Sequence, residues 1–256
     1  MKVLITFFKK EFTAQLRRCK LLILAILFLL LGIMNPAVAK LTPWLMEIMA
    51  DSLGEAGMTI TITTVTAMDS WVQFFKNIPM ALITFVLLES NIFTKEYRYG
   101  TLILALTKGL DRYKVVISKT AMLALLWTAG YWLCYGITWI CNAVLWDNSV
   151  AQNLEFAATC WWVFGLFTVT LIPLFSTLFS ANIGVLLGIG GVVFASSLIG
   201  LLPKVNKFMP TFLSDGNSLI YGAAEAETYM AALAITSGLC VLSFAASIFL
   251  FNKKQL

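Results

Sequence analysis

Histidine is absent from the 256 residues of this chain. Imidazole is the commonest general base and a frequent metal ligand, so its absence argues against the enzymes and metal sites that depend on it. The five cysteines form no CxxC pair, and we interpret them as small apolar residues between helices. The GxSxG, HExxH and GxxxxGK[ST] patterns are missing as well. We therefore expect no catalytic residue, no metal and no cofactor in this chain.

Charged residues are also scarce. They make up 12% of the chain, against 60% hydrophobic residues, whereas a soluble domain carries about 25% charged residues. The sequence instead holds six apolar blocks of the length that crosses a membrane, about 20 residues. It predicts an all-α polytopic membrane protein with six transmembrane helices. The net charge of +5 follows from the basic loops that such proteins keep on one side, so we predict no nucleic-acid partner.

We expect residues 1–20 to form an amphipathic interfacial helix and residues 21–256 to form the six-span transmembrane domain. The apolar face of the first helix repeats every four residues and consists of Leu4, Phe8, Phe12 and Leu16. Six basic residues supply its polar side, as binding to anionic membrane lipid requires. A plain positively charged anchor explains the same residues equally well.

The predicted spans cover residues 21–39, 71–93 or 79–93, 115–146, 156–180, 183–202 and 229–251. The first is long enough to stay in the membrane rather than be cleaved as a signal peptide. We expect an outer loop over residues 40–77, with one short helix and an extended stretch at 59–66. An outer segment over residues 203–228 is apolar enough to dip back into the membrane.

The basic residues also orient the chain. With six spans both termini share one side, and that side collects 14 of the 18 basic residues. The opposite side holds four basic residues against nine acidic ones. The positive-inside rule therefore predicts a multi-pass protein of the cell membrane, with both termini in the cytoplasm. We expect that membrane to be the bacterial plasma (inner) membrane.

A polar stretch, FTKEYRYGTLILALTKGLDRYKVVISK (residues 93–119), separates the second and third spans. Each Lys or Arg at a span centre costs roughly 2.5 to 3.5 kcal/mol, so this stretch must lie outside the hydrocarbon. Leu102, Leu106 and Leu110 recur at helical spacing, which predicts a short helix that Gly109 ends. Asp111 is placed to cap the next helix. A solvated loop that only fixes topology is the alternative.

The pattern in this stretch consists of Glu96, Gly100, Thr101, Leu102, Leu106, Arg112 and Lys119. It resembles the loop after the second span in export permeases of the type-2 ABC transporter family. A Glu, a Gly-Thr-Leu group, a Pro-x-Ser-Arg turn and a Lys recur in that loop. The hydropathy layout of the whole chain resembles the family too. This chain departs at the turn, where Gly109 stands in place of Pro and Asp111 in place of Ser.

The resemblance implies a transport subunit without an ATPase site of its own. Residues 94–114 would be the coupling segment, whose helix fits a cleft of separate ABC ATPase subunits that bind ATP and Mg. The residues implied in coupling are Glu96, Arg98, Gly100, Thr101, Leu102, Leu106, Arg112 and Lys119. The first two would orient the helix, the two leucines would fill the partner's socket, and the last two would fix the base of the third span.

The family also implies further partners and elements. A second permease subunit would complete the membrane part, as a homodimer or a heterodimer. An N-terminal elbow helix would precede the first span, and two short re-entrant outer helices would precede the last.

Three further features fall inside the predicted spans. Trp132, Tyr135, Trp139 and Asn142 share one helix face and would either line a substrate path or pack against neighbouring helices. Gly184, Gly188, Gly191 and Ala195 form a face of small residues for helix packing. Glu89 is a carboxylate near the cytoplasmic end of the second span. We expect it to pair with Lys95 or the basic N-terminal helix rather than to relay protons.

These features predict the permease subunit of an ATP-driven exporter. Its cargo would be amphipathic or lipophilic, with a peptide such as a toxin or bacteriocin as the best guess. The alternative is a secondary transporter or channel driven by an ion gradient, which usually buries charges at the membrane midplane. Here Glu89 is the one such carboxylate, and it lies close to the membrane surface. A membrane-embedded enzyme or assembly factor is the third possibility.

Overall fold

The computed structural model describes residues 2–54, 64–107, 109 and 111–254. No β-strand occurs among these residues. The α-helices in this part of the chain are α1 (Lys2–Arg17), α2 (Lys20–Gly54), α3 (Ala67–Glu89), α4 (Asn91–Arg98), α5 (Thr101–Thr107), α6 (Arg112–Leu145), α7 (Leu154–Leu178), α8 (Asn182–Gly200), α9 (Gly216–Ile220) and α10 (Ala226–Lys253). Short 3-10 turns lie at Asn148–Val150, Asn206–Phe208 and Pro210–Ser214.

Six of the described stretches are long and apolar enough to cross a membrane. They are Lys20–Ile48, Ala67–Arg98, Arg112–Leu145, Leu154–Leu178, Asn182–Gly200 and Ala226–Lys253. The predicted all-helical chain with six such helices is confirmed. The chain has the helices of a multi-pass membrane protein.

The predicted outer loop over residues 40–77 was wrong in extent. Helix α2 continues past Lys40 and Pro43 to Gly54, and α3 begins at Ala67. Lys40 is exposed, and a lysine can extend its ammonium group to water from a helix that continues. Residues 59–63 of the stretch predicted as extended lie outside the described residues, and residues 64–66 have no regular structure.

A polar chain across three helices explains how α2 tolerates a proline in its interior. Pro36 has no N–H group, which leaves the carbonyl of Gly32 without its usual helical donor. The hydroxyl of Thr138 in α6 donates to that carbonyl at 3.0 Å. The same hydroxyl accepts from Asn35 at 3.1 Å, and Asn35 accepts from Asn77 of α3 at 2.9 Å. Because polar groups in lipid must find partners inside the protein, this chain of bonds holds α2, α3 and α6 together.

Aromatic side chains fill the core between α3, α6 and α7. Trp71, Trp127 and Tyr131 are fully buried. The Tyr131 hydroxyl donates to the carbonyl of Ala158 in α7 at 2.7 Å, and the Trp127 indole donates to the carbonyl of Trp162 at 3.2 Å. Helix α7 lies at the centre of the bundle. In its apolar stretch 67% of the residues are buried, whereas in the apolar stretch of α10 11% of the residues are buried. The outward faces of α8 and α10 are therefore left for lipid or for another subunit.

Helices α6 and α7 approach closely because α7 has a glycine at the contact. A Cβ atom added at Gly165 would overlap the indole ring of Trp127. Gly136 of α6 differs, since a Cβ there would meet nothing within 4 Å.

Gly165→Ala is expected to lower the free energy of unfolding by roughly 1 to 3 kcal/mol, because the added methyl group displaces a fully buried tryptophan. Gly136→Ala is the matched control and should be neutral or stabilising, by up to about 1 kcal/mol from helix propensity. Thermal unfolding of both purified variants in one detergent compares them. Equal melting temperatures for the wild type and Gly165→Ala would contradict the packing assigned to Trp127.

The outer segment, residues 203–228, folds as the two later 3-10 turns followed by α9. Leu213 and Leu219 are fully buried, and both turns and α9 contact the spanning helices. Gly216 lies against the ring of Phe75 in α3. This segment therefore closes the bundle at the end opposite to the chain termini.

Candidate functional site

Several helix ends meet at one end of the bundle, which we call the charged end. It consists of α1, the start of α2, α4, α5, the first turns of α6 and α8, and the last residues of α7 and α10. Side-chain contacts join these elements directly, as described below. The polar stretch singled out in the sequence lies here.

A ring of two lysines and two glutamates forms the centre of the charged end. Lys119 of α6 lies 3.1 Å from Glu11 of α1 and 3.2 Å from Glu96 of α4. Lys10 closes the ring, at 3.2 Å from Glu11 and 3.6 Å from Glu96. The Lys119 side chain is 1% exposed and also donates to the carbonyl of Ile92 at 3.2 Å. Its charge is therefore fully partnered, and the ring joins α1, α4 and α6.

The electrostatic environment of Glu11 follows from this geometry. Burial alone would raise its pKa, but the ammonium groups of Lys119 and Lys10 outweigh burial and hold the pKa of Glu11 below its ordinary value. The carboxylate is thus ionised in the folded protein, as the ring requires.

A second ion pair lies next to the ring. Glu89, fully buried at the end of α3, is 3.3 Å from Lys20 at the start of α2 and accepts from Gln15 of α1 at 2.7 Å. Lys20 also donates to the carbonyl of Leu88 at 2.5 Å and to the side chain of Asn91 at 3.1 Å. The prediction that Glu89 pairs with the basic N-terminal segment is confirmed, with Lys20 as the partner.

Helix α1 uses a different face from the one predicted to be apolar. Its inward side consists of Phe7, Glu11 and Gln15, each at most 8% exposed. Phe12 and Leu16, from the predicted apolar face, are 36% and 49% exposed. Phe8 of that face is half-buried against the core, and the side chain of Leu4 lies outside the described residues. The predicted apolar face is thus only partly outward, and Phe7, Glu11 and Gln15 make the inward contacts.

Arg112 fixes the base of α6, as predicted. Its guanidinium donates to the carbonyls of Phe251 and Asn252 at 3.3 and 3.4 Å, and to that of Lys254. The last carbonyls of a helix have no intrahelical donor, so a cation at this place satisfies them and complements the helix dipole. Arg112 therefore joins α6 to the end of α10.

A tight turn joins α4 to α5. Gly100 has a φ of +64°, a conformation that favours glycine. Before the turn, Arg98 is exposed and Tyr99 is 67% exposed, and after it Thr101 is exposed. These three side chains form the outermost part of the segment, and we call them the tip.

The two leucines predicted to fill a partner's socket are placed otherwise. Leu102 is 1% exposed and belongs to the protein's own core, and Leu106 is half-buried against that core. The expectation for Leu102 was wrong because the apolar side of α5 faces the chain itself. Helix α5 is present as predicted, ending at Thr107 with Gly109 at a φ of +86°. Leu110, the third leucine of the pattern, lies outside the described residues.

Asp111 occupies the N-cap position of α6 but makes no capping bond with its side chain. Its carboxylate instead pairs with Lys114. The predicted position is confirmed, and the predicted bond is not formed, because a lysine three residues away is the closer partner.

The predicted substrate stripe lies mostly inside the bundle. Trp132 packs on Tyr131 and Tyr135, and Tyr135 contacts two aromatic rings of α3. Asn142 is fully buried, and its amide has no partner among the described residues. Tyr135 and Trp139 also line a cavity of about 550 Å³ at the opposite end, together with Glu155 and Phe156. A role of the stripe in a substrate path stays a prediction.

The predicted small-residue face of α8 is divided. Gly184 and Gly188 lie against the rings of Phe179 and Phe175, so these two serve packing within the chain. Gly191 and Ala195 are exposed, and a Cβ at Gly191 would meet nothing within 4 Å. The second half of the face is thus open to the outside of the bundle.

A scan of the sequence against models of known protein families finds no match. A search of curated proteins finds no relative either. The family resemblance therefore depends on residues 93–119 and the hydropathy layout.

Sequence reasoning missed three residues of the charged end. Glu11 and Gln15 follow Phe7 at steps of four, a spacing that places all three on one side of α1. Lys254 was counted only among the basic residues of one side; its ammonium lies 4.2 Å from the centre of the Tyr97 ring and donates to the carbonyl of Ser176 at 3.2 Å.

Lys119→Met is expected to lower the free energy of unfolding by roughly 3 to 5 kcal/mol, because it removes the buried cation of the ring and leaves Glu11 and Glu96 to the half-exposed Lys10. Lys114→Met is the matched control on the same helix, since its pair with the half-exposed Asp111 lies at the surface and should contribute little. Thermal unfolding compares them, and adding Glu11→Gln and Glu96→Gln should restore part of the loss. Equal stability of the two single variants would refute the ring.

The ring also predicts an acid-sensitive stability. Because the pKa of Glu11 is lowered by folding, its contribution is fully present above its ordinary pKa and is lost as the pH falls below it. The melting temperature of Glu11→Gln should therefore fall less than that of the wild type between about pH 6 and about pH 4. Glu227→Gln, an exposed position, should keep the wild-type pH dependence. Parallel curves for wild type and Glu11→Gln would show that the carboxylate is not stabilised by folding.

Proposed function

We propose that this chain is the permease subunit of an ATP-driven exporter of the type-2 ABC transporter kind. It would act with separate ATPase subunits and with a second permease subunit. The observation that carries this proposal is the ion-paired ring that joins the α4–α5 segment to α1 and to the base of α6. A force applied to the tip would reach three membrane-associated helices without passing through a flexible link.

The mechanism follows from this attachment. An ATPase that closes on ATP would move the tip, and Glu96 would transmit the movement to Lys119 in the first turns of α6. Arg112, bound to the end of α10, would pass it to the last span. Movement of the helices at the charged end would then change how accessible the interior of the bundle is from its opposite end. Leu102 would hold α5 against the bundle rather than contact the partner.

The absence of a phosphate loop in the sequence supports a separate energy source. The pairing of Glu89 also disfavours ion coupling through that residue. Its charge is neutralised by Lys20 at the charged end, whereas ion-coupled transporters use charges near the midplane.

The cargo of this exporter would be amphipathic or lipophilic, and a peptide such as a toxin or bacteriocin fits best. The cavity lined by Tyr135, Trp139 and Phe156 supports this, because these aromatic side chains, beside the polar Asn148 and Glu155 of the same lining, suit a molecule that is partly apolar. Exposed Gly191 and Ala195 would allow a helix of the second permease subunit to approach α8 closely.

The tip provides the test. Arg98→Glu with Tyr99→Ala should leave the melting temperature unchanged, because both side chains are exposed. It should weaken association with the ATPase subunits that co-purify with the wild-type chain about tenfold, the effect of losing roughly 1.4 kcal/mol of binding free energy. Tyr221→Ala is the control, since Tyr221 is 58% exposed at the opposite end. Co-purification and substrate-stimulated ATP hydrolysis in proteoliposomes measure both variants.

Two results would overturn the proposal. One is that no ATPase co-purifies with the wild-type chain from its native membrane. The other is substrate movement by the purified chain alone under an ion gradient, which would favour the secondary-transporter alternative.

A further inference from the structure

A cleft of about 850 Å³ opens at the charged end between α4, the turn before α8 and the last residues of α10. Lys95, Arg98 and Lys254 line it, and no acidic residue is among its lining residues. The cleft thus differs from the neighbouring ring, where lysines and glutamates alternate.

The three cations of the cleft lack carboxylate partners. No salt bridge joins Lys95, Arg98 or Lys254 to an acidic side chain in the part of the chain that the structure describes. The Lys254 ammonium donates to the carbonyl of Ser176 and lies over the Tyr97 ring, but no carboxylate among the described residues neutralises it. Burial lowers the pKa of Lys254, as expected for an ammonium group without a counter-charge.

Other donors and polar atoms meet at the same place. Helix α8 begins at Asn182, and no side chain caps its first N–H groups. Such groups bind anions readily. The Tyr97 hydroxyl, which can donate to an anion, is buried without a hydrogen-bond partner among the described residues, and Tyr97 lines the cleft. The cleft therefore combines positive charge with donors whose partner is missing.

The surroundings indicate where an anion would come from. On α8, directly beyond Asn182, Ile183 and Leu187 are 72% and 70% exposed. Leu178, at the end of α7, is 53% exposed. The cleft thus lies where the apolar outer surface of the bundle begins, which is the level of lipid headgroups.

We propose that this cleft binds the phosphate headgroup of an anionic phospholipid from the adjacent leaflet. Lys254, Arg98 and Lys95 contact the phosphate together with the first turn of α8, and the acyl chains lie along Ile183 and Leu187. Basic pockets between membrane helices on the cytoplasmic side are suited to such headgroups. The bound lipid bridges α4, α8 and the end of α10. This site does not depend on the transport assignment.

The test uses the delipidated full chain in detergent, without any ATPase. Native mass spectrometry measures the binding of dioleoylphosphatidylglycerol and of dioleoylphosphatidylcholine. The wild type should prefer the anionic lipid, and Lys254→Gln, Lys95→Gln and Arg98→Gln should each weaken its binding about fivefold. Lys253→Gln is the matched control, because Lys253 is the adjacent cation and lies over the ring of Phe249, away from the cleft. It should bind the lipid like the wild type.

Three outcomes would overturn the proposal. Equal loss in Lys253→Gln and Lys254→Gln would show that only the overall charge matters. The side chain of Arg98 is exposed, so Arg98→Gln should fold like the wild type. Unchanged lipid binding by this variant would exclude the cleft as the binding site. Displacement of the lipid by millimolar inorganic phosphate would assign the cleft to a free anion. Weaker binding of short-chain dihexanoylphosphatidylglycerol would support the acyl contact on α8.

Discussion

A lysine ammonium group that is removed from water must be surrounded by negative charge, and this constraint organises the end of the molecule where its termini lie. Lys119 is held between Glu11 and Glu96, and those carboxylates are bridged again by Lys10. Removing either sign of charge would leave the other uncompensated in a buried place, which is strongly destabilising. The three helices that supply these residues must therefore keep one mutual arrangement. The ring specifies position more than it adds stability, because a buried ion pair gains little over an apolar contact.

Uncharged polar groups in the apolar part of the bundle must likewise find a partner inside the protein. The carbonyl of Gly32, which Pro36 leaves without a donor, is satisfied by Thr138, and Tyr131 and Trp127 donate to carbonyls of α7. Lipid offers no hydrogen bonds, so each of these contacts fixes one helix against another. Apolar packing alone specifies such contacts poorly in a membrane, since lipid tails are as apolar as leucine. Polar pairs therefore determine how the helices of the core are positioned against one another.

These two constraints explain what the sequence could predict. Hydropathy along the chain predicts the six spanning helices, because the hydropathy of each apolar block depends only on the residues of that block. It does not predict that α2 continues to Gly54, since Lys40 and Pro43 resemble a helix end when the partners of the helix are unknown. The family resemblance implied that Lys119 holds the base of α6, but its partner Glu11 lies 108 residues away in the sequence and was not anticipated. Leu102 was misjudged because an amphipathic helix does not show whether its apolar side faces its own chain or another. Most pairing across the bundle depends on the fold; the pair of Glu89 with the basic N-terminal segment could be predicted because the sequence places both at the same end of the bundle.

The cations of the charged end fall into two groups, and the difference bears on how the protein meets its surroundings. Lys119, Lys20 and Lys10 each have a carboxylate partner and hold helices together. Lys95, Arg98 and Lys254 have no such partner among the described residues, although they lie a few residues from the first group in sequence or space. A positive-inside pattern in the sequence counts both groups alike. The second group has charge left for a ligand, a lipid or another subunit, whereas the field of a paired lysine is largely cancelled by its glutamate at short range. Interaction surfaces on this end should therefore be sought where the acidic residues are missing rather than where the basic residues are most numerous.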